Sequence, residues 1–172
     1  KGKWTKPPYS ARTGGHASHA NQHTWTTFAD AVSFAERREL DGVGFVFTAD
    51  DEYAGVDLDK CRDPETGVLT REAAIIVAHL GSYTEVSPNK TGLHIIVCGS
   101  VPSGLKRNGV EIYDRLRYFT VTGDVLGSAR IEKRYAELSE LYAAYLPPVA
   151  EPEPRIEPQH VDVDDVALLD KA

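Results

Sequence analysis

The chain of 172 residues is long enough to bury a substantial core, and its 41% hydrophobic and 26% charged residues are typical of a single globular domain. No stretch approaches the roughly 18 consecutive apolar residues of a membrane-spanning helix. The two cysteines, Cys61 and Cys98, lie far apart and lack partners at zinc-ligand spacing, which argues against a zinc finger. Because the first ten residues lack the apolar segment of a signal peptide, a cytoplasmic location is predicted.

The net charge of −7 is unevenly distributed along the chain. Five of the seven net negative charges lie in residues 147–172, a segment rich in proline and acidic side chains. We therefore predict a folded domain over residues 1–146 and a linker or tail over residues 147–172. Between residues 87 and 117, five Lys or Arg residues outnumber two acidic residues, so that segment can form a local basic surface. Scattered, solvated charges are the alternative interpretation.

Hydrophobic periodicity predicts, in chain order, a helix, two strands, a helix, four strands and a final helix. These elements cover residues 24–40, 42–49, 52–59, 70–81, 83–88, 93–100, 109–114, 117–123 and 129–146. The first two strands, the next two and the last two are each expected to form a pair. The second helix has Thr70 as its N-cap and Gly81 as its C-terminal stop. Since strands outnumber βαβ crossovers, an α+β fold with an antiparallel or mixed sheet is predicted.

Two carboxylates, Asp57 and Asp59, stand one residue apart in the second predicted strand. Strand side chains alternate, so both are expected on one face of the sheet. Adjacent carboxylates raise each other's pKa unless a cation neutralises them. Mg²⁺ or Mn²⁺ does so, taking oxygen ligands from one or two carboxylates and from substrate phosphates. The pair therefore indicates a divalent metal site, with a solvated hairpin face as the alternative.

A histidine, His94, lies near the start of the strand predicted over residues 93–100. Strand alternation places it on the face opposite the apolar Leu93 and Ile95. The preceding loop contains Ser87 and Lys90, a hydroxyl and an ammonium of the kind that bind phosphate. A structural role for the histidine is the alternative.

The strand predicted over residues 109–114 supplies a third candidate carboxylate. Val110 and Ile112 should face the core, which leaves Glu111 on the opposite face. Asp114 is the second choice, because a bulge would exchange the two acidic residues.

Two other clusters are assigned no metal or nucleotide-loop function. The spacing of His16, His19 and His23 suits a helical metal site, but the neighbouring Gly, Ser and Asn residues indicate a loop. The stretch SGLKRNG lacks the pattern of a phosphate-binding P-loop. Lys106 and Arg107 within it are therefore expected only to contact nucleic-acid phosphates.

The three motifs, in this order, resemble those of the archaeo-eukaryotic primase superfamily. GVDLD resembles its hhhDhD motif, SPNKTGLH a stretched form of its sxH motif, and GVEIY its third, acidic motif. The segments KPPYSARTGG and GVEIYDRLRYFTVTG are similar to primase-polymerases of phages and mobile elements. The resemblance extends from about residue 6 to residue 123.

The resemblance implies an RRM-like primase-polymerase core packed beside an N-terminal α/β unit. It also implies template-directed transfer of a dNTP or NTP to a primer 3′-hydroxyl on DNA, with two Mg²⁺ or Mn²⁺ ions. A helicase domain beyond the linker would be typical of such proteins. The chain is therefore expected to be part of a larger replication protein.

The motifs also imply a function for individual residues. Asp57, Asp59 and Glu111 would hold the metal ions. The nucleotide would be contacted by His94 at its triphosphate, with Ser87, Lys90 and Arg117 nearby, and by Tyr118 at its sugar.

Two functions from other classes are compatible with the same residues. A metal-dependent nuclease of a mobile element would use the carboxylates but would need no triphosphate contacts. A non-catalytic domain would recruit a replication partner through the acidic tail. Nicking or shortening of labelled DNA without dNTPs would favour the nuclease. Metal-dependent binding of a dNTP would argue against the non-catalytic domain.

Overall fold

The computed structural model describes residues 7–40 and 42–147. Its helices and strands, in chain order, are α1 (Phe28–Arg37), β1 (Val43–Phe47), β2 (Tyr53–Leu58), α2 (Arg71–Leu80), β3 (Tyr83–Val86), β4 (Leu93–Cys98), β5 (Leu105–Arg107), β6 (Val110–Tyr113), β7 (Arg117–Val121) and α3 (Tyr135–Tyr145). No helix within the described ranges is long and apolar enough to cross a membrane. Apart from residue 147, the predicted tail lies outside the described residues.

The strands of the described residues form two antiparallel sheets. Five strands are arranged in the order β3-β4-β2-β6-β5, and β1 pairs with β7 in a separate two-stranded sheet. Every named pairing is antiparallel. The predicted α+β class with an antiparallel sheet is therefore confirmed.

The main core lies between one face of the five-stranded sheet and helices α2 and α3. Val56, Ile95 and Ile112 project from adjacent strands and are fully buried, together with Leu138 of α3. Each of these three strand residues alternates with a polar neighbour, as expected for a sheet with one face on the core. The opposite face of the sheet carries polar and aromatic side chains together with the buried Ile96.

The caps predicted for α2 are present. The Oγ1 of Thr70 accepts a hydrogen bond from the Ala73 N–H, which satisfies one of the free donors of the first turn. Gly81 ends the helix at φ +48, a left-handed conformation that glycine adopts without steric penalty. The prediction for this helix is confirmed.

Two predicted strand pairs are wrong. β1 pairs with β7, whereas β2 lies between β4 and β6, so the sequence-adjacent pairs β1/β2 and β6/β7 are each divided between sheets. In the connection between β1 and β2, the carboxylate of Asp51 accepts hydrogen bonds from the Thr48 and Tyr53 backbone N–H groups. The predicted pairing around the PNKTG turn, β3 with β4, is confirmed.

The final helix begins six residues later than predicted, at Tyr135 rather than at residue 129. The Cys98 N–H donates to the Glu132 carbonyl, and the Arg134 N–H donates to the Cys98 carbonyl. These bonds hold the segment before α3 extended beside the end of β4. Strand β5 is an element that the sequence prediction lacks.

Two aromatic rings of the two-stranded sheet pack on the face of the five-stranded sheet that is opposite the helices. Phe119 of β7 meets Phe47 of β1 edge to face, with ring centroids 4.9 Å apart. Both rings lie over Gly55 of β2, where an added Cβ would be 2.4 Å from Phe119 and 2.5 Å from Phe47. The missing side chain at Gly55 thus makes room for the second sheet.

Replacing Gly55 with alanine tests this contact. We expect Gly55→Ala to lower the free energy of unfolding by about 1–3 kcal/mol, because two buried rings must move to admit the methyl group. Urea unfolding measures the change. Gly15→Ala is the control, since the nearest atom to its added Cβ is 3.7 Å away. Equal stability of Gly55→Ala and the wild type would show that the sheets are not closely joined here.

Candidate active site

Five polar side chains from five strands form one continuous row across the sheet face opposite the helices. The strand register pairs Glu85 with His94, His94 with Asp57, Asp57 with Glu111, and Glu111 with Lys106. Directly paired residues of antiparallel strands project from the same face and lie close together. We refer to these five residues as the charged row.

The β3 end of the charged row is buried under the two-stranded sheet. Glu85 has no solvent exposure, and its carboxylate accepts hydrogen bonds from His94 Nδ1 at 3.1 Å and from the Tyr83 hydroxyl at 2.7 Å. The backbone N–H groups of Thr122 and Gly123 donate to it at 3.0–3.2 Å. Burial alone would raise the pKa of Glu85, but these hydrogen bonds outweigh it and hold the pKa below its ordinary value. Glu85 is therefore an ionised carboxylate that keeps a proton on His94 Nδ1.

The imidazole of His94 is fixed from two directions. Its ring stacks on Phe119 with centroids 4.6 Å apart and an interplanar angle of 20°, while Glu85 binds Nδ1 in the plane of the ring. Its other nitrogen, Nε2, lies 4.0 Å from Oδ1 of Asp57. The Nε2 edge therefore faces the more exposed half of the row.

Cationic and phenolic groups surround Glu111 in that half. Lys106 donates to its carboxylate, Tyr113 donates from its hydroxyl at 2.8 Å, and the Arg117 guanidinium is 3.6 Å away. Arg117 also lies over the Tyr113 ring, 4.5 Å from its centroid. Burial alone would raise the pKa of Glu111, but Lys106, Tyr113 and Arg117 lower it further than burial raises it. Glu111 is thus an ionised carboxylate with two cationic side chains, Lys106 and Arg117, beside it.

The two predicted metal-binding aspartates occupy different positions. Asp57 lies within β2 and is partly exposed, whereas Asp59 follows the end of the strand and is exposed. The Asp59 N–H still donates to the Gly109 carbonyl at 2.8 Å, which extends the backbone pairing of β2 with β6. The pKa of Lys106 is raised chiefly by Glu111 and to a smaller extent by Asp59. Asp59 is therefore near enough to the charged row to act electrostatically on its last member.

The donor chemistry of this half fits a hard divalent cation. Among the described residues, no three His, Cys, Asp or Glu side chains are gathered into a ready-made metal site. Mg²⁺, however, is usually held by one or two carboxylates and completed by substrate phosphates. The directly paired Asp57 and Glu111 offer such a set, and the Lys106 ammonium occupies one side of Glu111.

The loop residues predicted to contact phosphate lie in the turn between β3 and β4. Ser87 is buried, donates to Asn89 Oδ1 at 2.8 Å and accepts from the Gly92 N–H at 3.2 Å. Its hydroxyl thus closes the turn. Lys90 is exposed in the same turn at φ +63. The two residues border the row at the β3–β4 end of the sheet.

Three other predicted residues are placed away from the charged row. Asp114 is buried, where it accepts from the Val101 N–H and pairs with Arg115. Arg107 donates to the carbonyl of Leu146, at the end of α3. Tyr118 alternates with Phe119 along β7 and therefore projects from the opposite face of the two-stranded sheet.

Glu85 is the member of the row that motif reasoning missed. The sequence does contain a signal for it. Ser87 and Gly92 flank a four-residue turn, and counting residue pairs outward from that turn places Glu85 opposite His94. The same counting from the Asn108-Gly109 turn places Lys106 opposite Glu111.

The structure has an α+β fold, with carboxylates, a histidine and basic residues in one row on an antiparallel sheet. This arrangement is consistent with the class of nucleotide-transfer enzymes that the motifs resemble. Comparison with known sequences identifies a relative of that class. The chain is 34% identical, over 128 residues, to a DNA primase-polymerase of Nitratiruptor phage NrS-1. The match covers 70% of this chain and 18% of the phage protein. No family model matches the chain. The chain thus contains a domain related to a phage primase-polymerase, which confirms the predicted resemblance.

Replacing Asp114 tests whether this buried carboxylate stabilises the fold instead of belonging to the charged row. Burial alone would raise the pKa of Asp114, but Arg115 and the Val101 N–H lower it below its ordinary value. We expect Asp114→Asn to lower the free energy of unfolding by about 1–3 kcal/mol at pH 7. Because the folded-state pKa is depressed, this contribution is complete above the unfolded pKa of about 3.9 and is lost as the pH falls below it.

Urea unfolding of both proteins at pH 7 and near pH 3 measures the effect. The exposed Asp124→Asn serves as the control and should change stability little at either pH. An Asp114→Asn protein as stable as the wild type at pH 7 would contradict the structural role of Asp114.

Proposed function

We propose that this chain carries the nucleotidyl-transfer site of a DNA primase-polymerase, which joins a dNTP or NTP to a primer 3′-hydroxyl on a DNA template. The observation that carries the proposal is the charged row, in which Asp57 and Glu111 pair directly between His94 on one side and Lys106 on the other. The relationship to a phage protein named DNA primase-polymerase supports it.

The architecture is compatible with an RRM-like catalytic core, which forms part of the proposal. The five-stranded antiparallel sheet has α2 and α3 on one face, and the charged row lies on the other. Helix α1 with strands β1 and β7 would then be the adjoining unit. The part of that other face not covered by the two-stranded sheet, which includes Asp57 and Lys106, is available for substrate.

The proposed metal ligands are Asp57, Asp59 and Glu111. Two bound Mg²⁺ or Mn²⁺ ions would supply activation of the primer hydroxyl and charge neutralisation at the departing pyrophosphate. The protein contributes a negatively charged strip, in which β2 and β6 hold two of the carboxylates in direct register. The Lys106 side chain, 67% exposed, is free to leave Glu111 and neutralise a phosphate oxygen instead.

The proposed triphosphate contact is His94. As an imidazolium, it would donate from Nδ1 to Glu85 and from Nε2 to a phosphate oxygen, and Arg117 would add positive charge on the same side. Phosphoryl transfer depends mainly on positioning and on electrostatic stabilisation, which such groups provide without a protein nucleophile.

The remaining assignments are proposed from the motifs. Ser87 and Lys90 would approach the phosphates through the turn between β3 and β4. Tyr118 would contact the sugar, and Lys106 and Arg107 would contact the DNA backbone. We also propose that the domain acts in the cytoplasm within a larger replication protein that includes a helicase. The aligned segment is 18% of the phage relative, so that relative is much longer than the shared domain.

Primer extension tests the proposed function. Asp57→Asn and Glu111→Gln should each reduce extension of a labelled primer by at least about 100-fold, because each removes a negative oxygen ligand while keeping the side-chain shape. The assay contains DNA template, dNTPs and either Mg²⁺ or Mn²⁺. Asp124→Asn, which lies outside the row, should extend the primer as the wild type does.

Three results would contradict the proposal. Full extension by Glu111→Gln would remove this carboxylate from the site. Shortening of the labelled strand without dNTPs would indicate a nuclease. Absence of both extension and metal-dependent dNTP binding in the wild type would indicate a recruitment domain.

A further inference from the structure

The geometry points to Glu85 as a positioning residue for nucleotide binding: its carboxylate binds Nδ1–H of His94 and fixes the ring, so that the Nε2–H of the doubly protonated imidazole is the donor presented to the triphosphate. This inference rests on the proposed function, in which His94 contacts the phosphates. It adds a residue that none of the three sequence motifs contains. Glu85 lies on β3, a strand away from His94 and two strands away from Asp57.

The burial of Glu85 is the first observation. Its side chain has no exposure, and Thr84 and Val86 on either side are also buried. A buried charge stabilises a fold weakly at best, and an apolar residue of similar volume usually serves as well. Packing alone therefore does not account for a carboxylate here. The partner that distinguishes this position is the imidazole across the strand pair.

The geometry of that partner is the second observation. Because Oε1 of the Glu85 carboxylate accepts from Nδ1 at 3.1 Å, a proton is held on Nδ1 in both the neutral and the doubly protonated ring. In the doubly protonated ring, Nε2–H is then the donor left for a phosphate oxygen. Stacking on Phe119 fixes the plane of the ring. With these two contacts in place, Nε2 is directed along the row toward Asp57. Without Glu85, ring rotation could exchange the nitrogen edges while the stacking was retained.

The same carboxylate also connects His94 to the second sheet. The backbone N–H groups of Thr122 and Gly123, just beyond β7, donate to Glu85, and Phe119 of β7 covers the ring. Glu85 thus binds both His94 and the segment that follows β7. Carboxylates that orient a functional imidazole through Nδ1 act in the same manner in other sites.

Tyr83 offers a matched control for the replacement of Glu85, because its hydroxyl binds the same carboxylate. It donates to Oε2 of Glu85 at 2.7 Å, whereas His94 binds Oε1. Tyr83→Phe therefore removes a hydrogen bond from the same buried carboxylate without removing the acceptor of His94. Glu85→Gln leaves one acceptor oxygen for four donors and places an NH₂ group among them. Both variants should lose stability, but only the second should disturb the histidine.

The experiment compares wild type, Glu85→Gln and Tyr83→Phe in two measurements. Calorimetric titration with dATP in the presence of Mg²⁺ should give about tenfold weaker binding for Glu85→Gln and less than about twofold for Tyr83→Phe. Nitrogen-15 NMR of the nucleotide-free, metal-free protein should show His94 protonated on Nδ1 in the wild type and in Tyr83→Phe. In Glu85→Gln that fixed Nδ1 signal should be lost.

A double-mutant comparison separates positioning from general stability. In a His94→Asn background, Glu85→Gln should weaken dATP binding no further, because the residue through which it acts is absent. An equal further loss in that background would overturn the inference, as would equal dATP binding by Glu85→Gln and wild type. A wild-type His94 without a proton on Nδ1 would also overturn it.

Failure of the proposed function gives a different result. If the wild type binds no dATP with Mg²⁺ while the NMR shows the Glu85–His94 pair as described, the nucleotide site itself is wrong, and the inference about Glu85 is rejected with it. If the wild type binds dATP but Glu85→Gln and Tyr83→Phe behave alike, the site stands and Glu85 is structural only.

Discussion

The register of β2 between β4 and β6 aligns both the hydrophobic core and the charged row. This register places Asp57 directly opposite both His94 and Glu111, at the centre of a five-stranded sheet. The alternate residues Val56 and Leu58 are buried against the helices. A slip by one residue would turn Asp57 into the core and expose its apolar neighbours. The hydrophobic effect that builds the core therefore also aligns the charged row, and the candidate site follows from the packing of its opposite face.

The charged row is divided into a buried half and a more exposed half, and the division determines what each residue can do. Glu85 and His94 lie beneath Phe119 and the end of β7, where they hold each other in fixed positions. Glu111 is joined by Lys106 and Arg117, whose long side chains are about half exposed or more. The buried half suits a rigid contact with one part of a substrate. The more exposed half suits replacement of the Lys106 ammonium at Glu111 by a bound metal ion.

Local patterns in the sequence predicted which face each site residue would occupy, but not which strands would be neighbours. Alternation correctly separated Glu111 from Val110 and His94 from Leu93. The pairings β1–β7 and β2–β6 join strands distant in the chain, and no local pattern encodes them. Strand β5 was predictable, because Asn108 and Gly109 at φ +51 and +81 form the two-residue turn typical of tight hairpins. Glu85 was missed because its importance comes from a cross-strand partner rather than from a motif.

Anomalous diffraction from a crystal grown with Mn²⁺ and a non-hydrolysable dNTP would locate the metal and the triphosphate together. We expect manganese peaks bound by Asp57 and Glu111, with the Lys106 ammonium displaced from Glu111 and a phosphate oxygen within hydrogen-bond distance of His94 Nε2. Manganese and nucleotide bound away from the charged row, or a nucleotide bound while Glu111 keeps Lys106 and no metal, would rule out the charged row as the nucleotidyl-transfer site.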